Sequence, residues 1–80
     1  MKNQDIWTEV QDKLKQIKAE EPYWPEHVAS QVAMMCNEPC KMLSLAIDQK
    51  YHGRDQQEAM RHTAIRTIAW NIRFLEAMKK

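Results

Sequence analysis

One carboxylate, two arginines and two thiols are the side chains here whose type and spacing suggest chemistry. Arg66 and Arg73 stand seven residues apart, which places them on one stripe of a helix, with His62 nearby. Guanidinium groups bind phosphate bidentately, so this stripe supplies two phosphate-binding candidates. The plainer alternative is a solvated helix face. Glu38 is a hard oxygen ligand of the kind Mg²⁺ takes, but one carboxylate would leave a metal weakly held and mostly hydrated. Its expected role is a boundary carboxylate paired with Lys41 or Arg66, with metal ligation as the weaker option. Cys36 and Cys40, with His52 or His62, sketch a zinc set. Only two thiolates exist, and Pro39 lies between them, so buried small cysteines are expected instead. No Ser–His–Asp or Cys–His–Asn set can be drawn. With Gly53 the single glycine, there is no phosphate-cradling loop.

Three helices are expected to position these groups. Ile6, Val10, Leu14 and Ile17, widened by Trp7, make the apolar stripe of a first helix over 1–21. Pro22 should end it. After the connector EEPYWPEH, Pro25 suits the first turn of a second helix running to Tyr51. That helix carries two stripes, Val28, Val32, Met35, Met42 and Ala46 beside Ala29, Ala33, Cys36, Cys40, Leu43 and Ile47. So wide an apolar surface needs cover on two sides. Pro39 removes one backbone hydrogen bond and should kink the helix near Met35. Gly53 marks its stop, and Asp55 with Glu58 forms an Asp version of a capping box for a third helix over 55–79. Ile65, Ile68, Ile72 and Leu75 line one face of it. Met34, Met35, Met42, Met60 and Met78 read as core or self-association surface, and Trp24, Trp70 and Phe74 as packing residues.

Composition agrees. Eighty residues allow one small domain with a marginal core, and one Gly with three Pro argues against an all-β chain. A net charge of +1 gives no field that would by itself imply nucleic acid or membrane. No run approaches the length of a membrane span, and the first residues lack the apolar centre of a signal peptide. A cytoplasmic protein with reduced thiols is expected. The fold expectation is all-α, with the two long antiparallel helices forming half of a four-helix bundle that oligomerisation completes, as a dimer or a dimer of dimers.

Several motifs fall in a suggestive order. Trp24-Pro25 and His27 precede the second helix, Tyr51-His52-Gly53 follows it, and Arg61 to Glu76 reads RHTAIRTIAWNIRFLE. Over roughly the last 55 residues the chain resembles the MazG-like, all-α NTP pyrophosphohydrolase superfamily, in particular its short phage-encoded members. The resemblance implies cleavage of a nucleoside triphosphate to monophosphate and pyrophosphate, with carboxylates from facing helices holding Mg²⁺ and activating water. In the family an opening like Trp24-Pro25 and His27 precedes a helix carrying Glu-Glu-x-Gly-Glu-Leu. Here the first Glu pair falls on Met34 and Met35, the Gly on Asn37 and the Leu on Pro39, while Glu38 keeps the third acid. Lys41 occupies a position often basic. The acidic position of the last helix falls on Thr63, and three residues on stands Arg66. Met35, Glu38, Lys41, Thr63 and Arg66 therefore outline a degenerate site.

The expectation is a MazG-like helical protein without family-type hydrolysis, acting as a self-associating module that binds a nucleotide or a protein. An enzyme alternative keeps Mg²⁺ chemistry with Asp48, Asp55 or Glu58 recruited, in part from a second subunit. A further alternative is a nucleic-acid adaptor using Arg54, Arg61, Arg66, Arg73 and Lys80. The weakness of that reading is that these cations fall on two separate stripes.

Overall fold

The computed structural model describes residues 3–78, with side chains from Ile6 onward. Lys80, position 79 and the first two residues lie outside the described residues. The chain is all-α, with helices α1 (Asn3–Glu20), α2 (Val28–Met35), α3 (Asn37–His52) and α4 (Gln57–Met78). Among the described residues there is no strand, and no helix is long and apolar enough to cross a membrane.

The element boundaries follow from local chemistry. Glu21 N–H closes α1 on Ile17 C=O at 2.8 Å, and Pro22 then ends the helix. The second helix differs from expectation at its start. Pro25 belongs to the connector, and α2 opens at Val28 after an extended His27. The Pro25 carbonyl instead accepts a 2.7 Å bond from buried Gln31. The expected break occurs where Pro39 dictates. Pro39 has no N–H to offer Met35 C=O four residues back, and one residue, Cys36, separates α2 from α3. Cys36 keeps helical geometry at φ −71° and ψ −17°.

Gly53 ends α3 in the left-handed conformation, with φ 68° and ψ 17°. The last helix opens two residues later than its expected cap. Gln56 C=O takes the first helical bond from Met60 N–H, while the Asp55 carboxylate accepts from Gln57 N–H at 3.1 Å.

The topology is up, down, up. Glu38 meets Arg66 and Asp48 meets Gln56, so α3 and α4 are antiparallel. Glu9 meets Arg61 and Lys18 meets Glu76, so α1 and α4 run in the same direction. α4 is the shared helix, packed by α1 on one side and α3 on the other, with α1 and α3 making no close backbone approach.

The core lies between α1 and α4. Leu14 and Ile17 meet Ala69 and Trp70, with Met34, Met35, Trp24 and Ile72 packed against the cluster, and Val10 and Ile65 are buried as well. Within the single chain neither stripe of the second helix is wholly covered. Val28, Val32, Leu43 and Ile47 are exposed, as are Ile68 and Leu75 on α4. The buried cluster is shared by α1 and α4.

Candidate functional site

Glu38 is the second residue of α3, where free N–H groups and the helix dipole favour a carboxylate. The antiparallel register sets it opposite Arg66. The Arg66 Nε donates to Glu38 Oε1 at 2.7 Å, and Nη1 lies 3.9 Å from Glu20 Oε1 at the end of α1. The Glu38 side chain is only 9% exposed, and its second oxygen is buried without a hydrogen-bond partner. A guanidinium thus stands between carboxylates of α1 and α3. A buried pair of this kind adds little over apolar packing, but losing one partner strands a charge at a cost of about 3–5 kcal/mol.

The other residues marked by the resemblance have different tasks. Met35 is half-buried against the core cluster, and Lys41 is exposed. Thr63 is buried at 1% exposure, and its hydroxyl donates to Ala59 C=O at 2.8 Å. Of the two pairings expected for Glu38, the structure selects Arg66. The second carboxylate on Arg66, Glu20, has no sequence signal, since it arrives only through the packing of α1 on α4.

Arg73 lies two turns beyond Arg66, about 10 Å along the helix, and serves a separate place. It is 6% exposed, with its guanidinium carbon 4.8 Å from the Trp24 ring and 5.7 Å from that of Trp70. Those two rings stack at 6.2 Å. Nη2 donates to Glu21 C=O at 2.7 Å, while Nη1 and the indole N–H of Trp24 are buried without partners. Burial draws the Arg73 pKa below its ordinary value, with the Glu21 carboxylate opposing the shift. Beside these groups is a cleft of about 510 Å³, walled by Pro22, Trp24, Arg73 and Ala77 and rimmed by Lys18 and Glu76. Lys18 and Glu76 are paired at 2.9 Å. The two phosphate candidates are therefore not brought together.

The acids of the enzyme alternative are engaged elsewhere in the chain. Asp48 accepts from Gln56 Nε2 at 2.5 Å, lies 2.9 Å from His52 Nδ1 and has Arg54 at 3.8 Å. These partners, the Gln56 bond first, lower its pKa. Asp55 holds the start of α4. Glu58 lines a charged cleft between α1 and α4 that includes Glu9, Asp12, Arg61 and His62. Among the described residues no three His, Cys, Asp or Glu side chains gather as a metal-holding group. Cys36 and Cys40 are free and exposed, which corrects the expectation that they are buried. Every residue of the stripe that carries them, from Ala29 to Ile47, is exposed.

The basic residues form no continuous footprint. Arg54, Arg61 and Arg66 each face a carboxylate, and Arg73 is buried. Between α3 and α4 runs a second, almost wholly apolar groove of about 400 Å³, lined by Pro39, Met42, Ala64, Thr67 and Ile68. Leu43 and Ile47, on the same helix as Pro39 and Met42, are also exposed.

No family model matches the chain, and neither the curated proteins nor the solved structures contain a significant match.

Proposed function

We propose that this chain is a catalytically degenerate helical module of MazG-like type that works by self-association through its α2–α3–α4 face. The observation that carries the loss of catalysis is the Glu38–Arg66 pair, in which the one retained acid already has a cation. Met34 and Met35 offer Mg²⁺ only thioethers, which a hard cation does not take. Thr63 spends its hydroxyl on its own helix.

Support for self-association comes from the apolar residues that α1 does not cover. Val28, Val32, Leu43, Ile47, Ile68 and Leu75 are all more than 40% exposed. Two helices side by side with an apolar groove between them are half of a four-helix bundle, and a two-fold axis across that face would bury the groove against its own copy. Mg²⁺ belongs to this account only in the enzyme alternative, in which a second subunit would have to add acids beside Glu38.

Sedimentation velocity over a range of concentrations tests the proposal. The native chain should sediment as a dimer or a dimer of dimers, and Leu43→Glu with Ile47→Lys should return it to a folded monomer. A native chain that stays monomeric at tens of micromolar would overturn it.

A further inference from the structure

The Arg73 cleft belongs neither to the Glu38–Arg66 pair nor to the apolar face. Its chemistry is nevertheless specific. A buried arginine ordinarily finds a carboxylate, yet Arg73 is only 6% exposed and no Asp or Glu among the described residues lies within ion-pair distance of it. Its positive charge is held by two indole faces and one backbone carbonyl. Two buried donors, Arg73 Nη1 and Trp24 Nε1, remain without acceptors, although buried donors are nearly always satisfied. Both residues wall the cleft, and Lys18 adds a second positive charge at its rim.

We infer that this cleft is a binding site for an organic oxyanion, a phosphate monoester or a carboxylate, whose oxygens accept from Arg73 and Trp24. The volume, about 510 Å³, exceeds what a bare inorganic anion needs and falls in the range of small-molecule sites. Pro22, Ala77 and the Trp24 ring supply apolar wall for the carbon skeleton. Glu76 holds Lys18 at the rim and opposes an entering anion, so the site gains affinity when Lys18 turns from Glu76 to the ligand. Glu21, whose backbone carbonyl accepts from Arg73, contributes a further negative charge nearby. The inference stands apart from self-association, since a monomer and a dimer would both carry the cleft.

The test follows the three indole N–H resonances of the ¹⁵N-labelled full chain, assigned with Trp24→Phe and Trp70→Phe. Phenyl phosphate and benzoate are added separately, with chloride holding the ionic strength constant. A saturable shift of the Trp24 indole resonance is expected with at least one probe, and the probe that produces it identifies phosphate ester or carboxylate as the preferred head. Lys18→Gln should weaken that binding and Glu76→Gln strengthen it, each by about 1.5-fold to fivefold, as expected for partly exposed charges. Both substitutions are at exposed positions and leave the core intact. No saturable Trp24 shift with either probe would overturn the inference, as would affinities that neither rim variant alters.

Discussion

Arg66 donates to Glu38 at 2.7 Å across the α3–α4 interface, and the same guanidinium reaches Glu20 on α1. One side chain thereby ties three helices together and occupies the only acid of the expected magnesium set. Arg66→Ala should destabilise the fold by about 3–5 kcal/mol, because Glu38 is left buried and unpaired. Replacing both partners, Glu38→Leu with Arg66→Met, should restore most of that loss. Urea unfolding of the two variants and the native chain checks both statements. A single replacement as mild as the double one would mean that the pair carries no structural weight.

Gly53→Ala tests the turn between α3 and α4. A Cβ at this position meets no atom within 4 Å, so the cost is conformational alone. At φ 68° it should be about 1–2 kcal/mol, read as a fall of several degrees in Tm. Gly53→Asn should cost less than Gly53→Ala, since asparagine tolerates this conformation better.

These two sites differ in how far the sequence discloses them. Gly53 was legible because only one residue type adopts that backbone freely, and Pro39 was legible for the mirror reason, that it cannot continue a helical hydrogen bond. The stripe Val10, Leu14, Ile17 was equally clear. Which helix it would meet was not, because periodicity specifies a face and not its partner. That gap explains why both cysteines were expected to be buried and are instead exposed, with Leu43 and Ile47 exposed as well. Glu38 and Arg66 could be named as a pair, since both flank the same motif region. Glu20 and the Trp24–Arg73 contact could not, because tertiary packing alone brings them together.

Asp48 gives the pH dependence. Its carboxyl sits below the ordinary aspartate value because Gln56 and His52 bond the charged form, so native protein holds the ionised group more strongly than unfolded chain does. Such a group contributes its stability in full above the unfolded pKa and loses it as pH falls through the lower, folded one. Amide exchange at the α3–α4 turn should therefore be flat through neutral pH, after correction for intrinsic rates, and lose protection in acid below the ordinary aspartate range. Asp48→Asn should remove that acid step. An unchanged step in the variant would assign it to another carboxylate.

Ile17 and Leu43 separate folding from association. Ile17 is fully buried, and Ile17→Ala should cost about 2–5 kcal/mol through lost transfer energy and a cavity. Leu43 is 63% exposed, so Leu43→Ala should leave the unfolding of the isolated chain nearly unchanged while weakening self-association. Cys36 and Cys40 should react readily with a thiol reagent in dilute native protein, and more slowly as concentration rises. Chemical denaturation with sedimentation on the same samples, and the labelling rates beside them, check this division.

The proposed replacement of metal chemistry at Glu38 by Arg66 is tested most directly by pyrophosphate release. Purified native protein should release none above background from any NTP or dNTP with Mg²⁺ or Mn²⁺. Turnover above background that disappears in Glu38→Ala would contradict the account, and would mean that acids converge on Glu38 across a subunit interface.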